Sequence, residues 1–478
     1  MASTVGAGAR LDRLPISRFH FRLLFLIGAG MFWDAFEIYL QGGVLASLAA
    51  SGWSTPAQNA NFISATFAGM VCGAWAAGIL GDRFGRRFSY QFNLLIFAAG
   101  SLVAALAPSM GWLIVTRFVI GIGLGAEIVV GYVTLSEFVP PGNRGRWAAG
   151  LALLANSALF VSGLVGSIVI PTVGWRWMFV LVGVGGLAIW WMRKKMPESP
   201  RWLEAKGQLE ERDRLLAVIE AEVEAQTGTP LPPPQQAVPD TRAKVAGLGA
   251  LFGPALLRRT LLGMLLLVTM NTGIYGLVTF LPSFMVAKGE TIASSLAYTT
   301  VMTLGGPAGS LVGIFLADRV GRRAGIALFS AAAVVFAIAY PFMQVPTLLM
   351  LDGFLLVSCL YVLVTICFAL YLPELFPTEV RMRGVGVCNM VGRVATIATP
   401  QLVAHLLAPV GVMAVVAYVS ALLISQAIAM LIWGVETRRA SLEQIADGVG
   451  LATAAPVDSL AAAVNMSGQI SPDPSQGA

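Results

Sequence analysis

The sequence predicts an all-α membrane protein: twelve transmembrane helices arranged as two pseudo-symmetric six-helix bundles. Three observations lead there: a composition too apolar for a watery surface, twelve apolar segments of membrane-crossing length, and a basic loop motif that occurs twice at a fixed interval. Of 478 residues, 57% are hydrophobic and only 12% charged, about half the roughly 25% charge of soluble chains. A soluble protein of this length could bury a core but could not clothe its exterior with so few charges. That excludes a water-soluble enzyme, and no catalytic activity is expected. Two His and four scattered Cys (Cys72, Cys359, Cys367, Cys388), with no CxxC spacing, offer neither a tetrahedral metal site nor a disulfide framework. No metal and no cofactor are expected. The net charge of +6 is not gathered on one face or helix, as nucleic-acid binding requires; the basic residues lie between apolar segments.

Taken in order, residues 1–21 form an N-terminal segment in which Arg10, Arg13 and Arg18 lead, with Arg22, into the first span. That span is too long for the apolar region of a cleavable signal peptide and is expected to be retained. The first bundle, 22–193, holds spans near 22–47, 60–80, 88–107, 112–135, 147–170 and 175–192. Each reaches the length, about 20 apolar residues, that a bilayer demands. A linker, 194–257, carries a charged helical stretch from Leu203 to Ala225 and then a proline-rich run around Pro230–Pro239. The second bundle, 258–434, holds spans near 260–286, 293–316, 324–343, 347–371, 384–408 and 412–434, and residues 435–478 read as a disordered polar tail. Of the 31 Lys and Arg, 27 fall on the side of the termini, two (Arg176, Lys288) on the other, and two (Arg117, Arg393) within spans. The positive-inside rule therefore places both termini, linker and tail in the cytoplasm, with the chain in a bacterial-type inner membrane.

The two halves repeat each other. Gly81-Asp82-Arg83-Phe84-Gly85-Arg86-Arg87 after span 2 returns as Ala317-Asp318-Arg319-Val320-Gly321-Arg322-Arg323 after span 8, an offset of 236. Glu137, Pro140, Arg144 and Arg146 return as Glu374, Pro377, Arg381 and Arg383 at an offset of 237. Parallel halves of this kind build secondary transporters whose substrate site lies between them near the midplane.

On these motifs the twelve-span core resembles the major facilitator superfamily, whose signature reads here from Gly78 to Arg87, with a second copy beginning at Gly313. Asp82 ends span 2 where it can pair with Arg side chains of neighbouring loops, and Gly85 permits the tight reversal. The resemblance implies that these loops latch the cytoplasmic ends of the halves in the outward-open state and part on the way inward. Pro197-Glu198-Ser199-Pro200-Arg201-Trp202-Leu203 and Pro373-Glu374-Leu375-Phe376-Pro377-Thr378 resemble the sugar-porter-like branch. The stretch from Arg117 to Glu127, with Glu137-Phe138-Val139-Pro140, is more similar to the organic-ion and nicotinate side of that branch.

Charges inside spans cost on the order of 2.5–3.5 kcal/mol each even on lenient scales, so they mark function or pairing. Asp34 and Glu37, three apart in span 1, share a helix face with Gln41. Two acids so close in low dielectric cannot both ionise cheaply, which suits proton coupling; structural pairing with a cation is the alternative. Aromatic acid:proton symporters resemble this segment with Asp-Gly-x-Asp, where Asp34-Ala35-Phe36-Glu37 keeps both acids and lacks the glycine. Arg117 in span 4 is the natural partner, as resemblance to sugar:proton symporters also implies. Gly121 and Gly125 follow it as a small-residue stripe that packing alone explains. Glu127 reads equally well as structural or functional.

Arg393 in span 11 carries the substrate expectation. It lies near mid-depth, and its repeat-mate at the 237 offset is neutral Asn156. Its forked donor suits a carboxylate, and resemblance to organic-anion transporters implies a cation in this span; an internal ion pair with Glu127 or Asp352 is the other reading. Asn389, Asn156, Asn271, Tyr275, Tyr361, Gln41 and Glu127 are candidate cavity residues. No ATP-binding loop is present. The expected function is proton-coupled symport of a small organic acid, aromatic or nicotinate-like, by a monomer in the lipid bilayer. Alternatives are a sugar or polyol:proton symporter, an organic cation exporter, and a transport-inactive membrane sensor.

Overall fold

The computed structural model describes residues 6–140, 143–194, 196–234, 248–254, 256–376 and 380–436. After a short α1 (Ala7–Asp12), six long helices follow: α2 (Arg18–Ala50), α3 (Pro56–Phe84), α4 (Arg86–Ala105), α5 (Met110–Phe138), α6 (Arg144–Val173) and α7 (Arg176–Arg193). Two linker helices, α8 (Pro200–Ala205) and α9 (Leu209–Thr227), separate them from the second six crossings. These are α10 (Leu257–Gly276) continued by α11 (Leu281–Ala287), α12 (Ile292–Thr303) continued by α13 (Gly305–Val320), α14 (Arg322–Ala339), α15 (Pro346–Val364) continued through a π turn to α16 (Leu372–Glu374), α17 (Arg381–Val410) and α18 (Val412–Trp433). All twelve expected spans coincide with these crossings.

Among the described residues, nine stretches are long and apolar enough to cross a membrane on length and composition alone. α7 is short and begins and ends in Arg. α3 and α17 face one another across the two halves through polar contacts: Ser64 Oγ donates to Ile397 O at 2.8 Å and Gln401 Nε2 to Asn61 Oδ1 at 2.8 Å. The seventh and eighth crossings are interrupted after Gly276 and at Leu304, just ahead of Pro282 and Pro307, which lack the N–H that a continuous helix needs.

Within each half glycines let neighbouring helices meet at backbone contact. A Cβ on Gly73 would stand 1.9 Å from Ile122 O, and one on Gly125 2.0 Å from Met70 O, so α3 and α5 touch only because these positions are glycine. Gly309 repeats Gly73 at the 236 offset, and a Cβ there would stand 2.2 Å from Ser358 O of α15.

The expected helix from Leu203 to Ala225 is instead two, divided by a turn in which Gly207 takes φ +72°. The N-terminal segment is not a loose leader. Leu11 and Leu14 are buried in a satellite core with Leu216, Ile219 and Val223 of α9 and Phe19 and Leu23 of α2. Around it Arg10 bonds Glu220 at 2.6 Å and Asp213 at 3.1 Å, Arg13 bonds Glu220 at 2.8 Å, and Asp12 accepts from Arg144 and Arg201. Burial works against the Glu220 carboxylate, yet the bonds from Arg10 and Arg13 hold it below the usual glutamate range. Residues 235–239 of the proline-rich run and all of the polar tail beyond residue 436 lie outside the described residues.

Candidate transport site

Between the halves lies a cavity of about 700 Å3. Its walls come from α2 (Asp34, Ala35, Ile38, Tyr39), α3 (Met70), α5 (Ile128, Tyr132) and α6 (Arg146 to Asn156) on one side. α10 (Asn271, Tyr275), α13 (Ser310), α15 (Tyr361) and α17 (Asn389, Arg393) supply the other. It runs from mid-depth to the end that carries the basic loops, where Arg146 and Phe368 line it. Toward the opposite end the halves meet. Tyr361 Oη donates to Tyr39 Oη at 2.7 Å, Asn156 Nδ2 to Ser310 Oγ at 3.0 Å, and a Cβ on Gly42 would strike Thr279 O at 2.7 Å.

Among the described residues, the interior of the first half holds five charged side chains: Asp34, Glu37, Arg117, Glu127 and Arg193. Arg117 bonds Glu37, and its guanidinium also donates to Thr66 Oγ1 at 3.0 Å and Gln41 Oε1 at 3.4 Å while lying 4.6 Å from the centre of the Phe62 ring. Both partners are fully buried. A second pair, which the sequence reading did not anticipate, joins Glu127 to Arg193 at the end of α7. Arg193 also donates to the carbonyls of Leu26 at 2.8 Å and Ile27 at 2.9 Å. It gets this close to α2 because residue 30 is glycine: a Cβ there would stand 1.9 Å from Arg193 Nη2. Asp34 lies between the pairs, 1% exposed, with neither carboxylate oxygen bonded to a partner.

Expected cavity residues divide accordingly. Arg393, Asn389, Asn156, Asn271, Tyr275, Tyr361 and Asp34 line the cavity. Gln41 and Glu127 do not; each is turned to a guanidinium, Arg117 for the one and Arg193 for the other. That removes Glu127 as a partner for Arg393, whose recorded polar contact among the described residues is Met70 Sδ at 3.9 Å. Asn271 and Asn389 line the cavity and donate to carbonyls of their own helices, Leu267 O and Val385 O, at 2.9 Å. Tyr275 packs edge-on against Phe67 at 4.4 Å.

The loop motif is built the same way in both halves. Arg86 donates to Glu137 at 2.9 and 3.2 Å and to Gly81 O at 2.8 Å. Arg322 donates to Glu374 at 3.2 and 3.3 Å. Each of these pairs closes one half on itself rather than bridging the two. The sequence reading missed the carboxylates that complete them. Glu198 accepts the backbone N–H groups of Arg86 and Arg87 at 2.8 and 3.1 Å, and Glu436 those of Arg322 and Arg323 at 3.0 and 3.1 Å. The orphan donors that open α4 and α14 are thus capped from a distant segment. Gly85 and Gly321 serve twice: they take φ +97° and +91°, and a Cβ would stand 2.3 and 2.7 Å from the capping carboxylate. Burial pushes the Glu198 carboxyl above its usual range against the pull of these donors. Arg323 also donates to Met430 O at 3.2 Å, and Arg83 and Arg319 are exposed. The side chains of Asp82, Asp318 and Arg381 lie outside the described residues.

Twelve membrane helices in two repeated halves around one central cavity define a major facilitator superfamily transporter. Over residues 26–448 the chain matches the family described as sugar (and other) transporter, and it belongs to that family. Inner membrane metabolite transport protein YdjE of Escherichia coli (strain K12) is 36% identical over 92% of this chain and 98% of its own length. Niacin transporter NiaP of Acinetobacter baylyi is 31% identical over 91% and 99%. Among solved structures, the inward open xylose transporter XylE from E. coli superposes with TM-score 0.70 over 90% of this chain and 99% of that one at 15% identity. XylE bound to 6-bromo-6-deoxy-D-glucose gives 0.66 at 18%, over 90% and 99%. At such identities the likeness concerns the fold.

Proposed function

We propose that the protein imports a small organic acid, aromatic or nicotinate-like, together with protons, by alternating access across a bacterial-type inner membrane with both termini in the cytoplasm. The observation that carries the reading is Arg393: a guanidinium at mid-depth on the cavity wall with no carboxylate bonded to it among the described residues. A forked donor held in a largely apolar cavity selects a planar anion. The tyrosines around it offer ring faces to an aromatic acid. The niacin transporter NiaP, 31% identical over nearly the whole chain, supports a ligand of this kind. Proton coupling rests on the acids of α2, with Asp34 at the cavity and Glu37 bonded to Arg117. A cavity open to the basic end corresponds to the inward-facing state, and the loop motifs at that end are the gate: Asp82 and Asp318 are the latch residues, and Asp82→Asn shifts the population without abolishing binding.

The test compares an acid with its amide on purified protein: nicotinate with nicotinamide and benzoate with benzamide, for wild type and Arg393→Gln. The wild type is expected to be stabilised by the acid and not the amide. Losing a charge-assisted bond of roughly 1.5–3 kcal/mol weakens acid binding about ten- to a hundred-fold in the variant. Equal response to acid and amide, or response to sugars alone, refutes the reading and favours a sugar or polyol carrier.

A further inference from the structure

We infer that Arg146, flanked by Tyr132 and Phe368, forms a second carboxylate site in the cytoplasmic vestibule, weaker than the one at Arg393, where a small aromatic acid halts between the central site and the cytoplasm. This rests on the reading of the chain as a carrier of organic acids and adds a site that the reading does not use.

Among the described residues, three charged side chains stand on the cavity wall: Asp34, Arg146 and Arg393. Around the cytoplasmic end, Arg86, Arg144, Arg201 and Arg322 each bond a carboxylate of the protein, at 2.9, 3.1, 2.7 and 3.2 Å. Arg146 bonds none among the described residues and is exposed. The positive-inside rule accounts for a cation at this end, but not for one left unpaired on the transport path. Its repeat-mate Arg383 is not on that wall. The surroundings suit a ring. Gly150 follows Arg146 by one turn of α6, and a Cβ there would meet nothing within 4 Å, so the wall beside the guanidinium is open. Tyr132 lines the cavity near the cytoplasmic end of α5, and its hydroxyl has no bonded partner among the described residues. Phe368, in the π turn of the tenth crossing, presents a ring that is 38% exposed. A forked cation beside a phenol, a ring and an open wall takes a flat carboxylate.

The site is separate from Arg393. The repeat makes Asn156 on α6 the counterpart of Arg393 on α17, and Arg146 precedes Asn156 by ten residues, about 15 Å along the helix axis. Helical side chains tilt toward the N-terminus, which for α6 is the cytoplasmic end, so the tilt widens the gap. An acid with one ring is about half as long as that gap, and its carboxylate cannot hold both guanidiniums at once. The wall between them is largely apolar, with Met31, Ile128, Leu153 and Ile314, so the anion moves from one cation to the next. Toward the outer end Tyr361 bonds Tyr39 and Asn156 bonds Ser310, so Arg146 is reached from the cytoplasm alone. An exposed cation at a mouth raises the local concentration of anions, and salt screens it far more than it screens an enclosed one.

Right-side-out and everted membrane vesicles carrying the full chain provide the test, with labelled nicotinate and benzoate exchanging against saturating unlabelled acid on the far side. Arg146→Gln is expected to raise KM at the cytoplasmic face about two- to five-fold, the scale of an exposed charge pair, and to leave KM at the outer face as in wild type. Arg146→Lys keeps the charge and should match wild type at both faces. In the wild type, raising salt from ~0.05 to ~0.5 M should raise the cytoplasmic KM alone, and Arg146→Gln should remove that dependence. A KM raised equally at both faces, a cytoplasmic KM unchanged by Arg146→Gln, or Arg146→Lys no better than Arg146→Gln would overturn the inference. A wild-type cytoplasmic KM indifferent to salt would overturn it too, and that measurement needs no variant, so misfolding does not shield it. If the wild type moves neither acid from either face, the functional reading fails and this inference with it; if it moves both with no difference between the faces, this inference fails alone.

Discussion

Glu127→Gln probes how the buried charges are shared. Removing one partner of a buried ion pair costs about 3–5 kcal/mol when the other charge is left alone. Arg193 is not left wholly alone: it keeps the carbonyls of Leu26 and Ile27 at 2.8 and 2.9 Å, and the Asp34 carboxylate lies within its electrostatic reach. The single variant is therefore expected to lose only about 1–3 kcal/mol, because Asp34 takes the place of Glu127. Asp34→Asn alone removes an unbonded buried acid and should be neutral or stabilising. The double variant leaves Arg193 with carbonyls and the face of the Tyr90 ring but no carboxylate, and should pay the full penalty, so the two changes couple by about 1–3 kcal/mol, within the range that contacting residues show. The assay is thermal unfolding of the four proteins of the cycle in one detergent, read alongside gradient-driven uptake, which Glu127→Gln should impair because Arg193 now holds Asp34. Additivity within about 0.5 kcal/mol refutes the idea that Arg193 can change partners.

Three further outcomes are expected. Gly73→Ala forces a Cβ against backbone of α5 at 1.9 Å and should destabilise by about 1–3 kcal/mol, whereas Gly150→Ala meets nothing within 4 Å and should not; equal melting of the two contradicts the packing account. Glu198→Ala uncaps α4 and should cost about 0.5–2 kcal/mol, seen as faster amide exchange at Arg86 and Arg87, with Glu436→Ala doing the same at Arg322 and Arg323. The bonds to Glu220 should contribute stability to the docked N-terminal segment above the unfolded glutamate range near pH ~4.3 and lose it as pH falls through the depressed folded value. Amide exchange across 7–14 at decreasing pH measures this, and protection that rises on acidification contradicts it.

The spans and the repeat were legible because lipid imposes them: a crossing needs a long apolar run, and a duplicated loop keeps its register over hundreds of residues. Arg117 and Arg393 stood out because a charge within such a run is anomalous. Arg193 did not, since it sits one residue beyond the expected sixth span and reads as another basic loop residue. Its burial comes from the close approach of α7 to Gly30, a tertiary fact that no spacing records. Glu198 was visible as part of a motif, but its task was hidden because the N–H groups it accepts lie 112 and 111 positions away. A signal existed in Glu436, which mirrors it at an offset of 238. The two-part linker helix was missed because one left-handed glycine, Gly207, outweighs an otherwise continuous helical pattern.

The paired carboxylates Glu198 and Glu436 have a consequence for how such a chain arose and how it can be cut. Each stands just past the sixth helix of its half and fastens that end back onto the third, so each half is buckled shut by its own sequence and owes nothing to the other for closure. A six-helix ancestor would have carried the same buckle, and duplication needed to add only a tether. Two fragments divided within the linker after Gly228, made together in one cell, should consequently find each other and rebuild the carrier, each arriving already fastened.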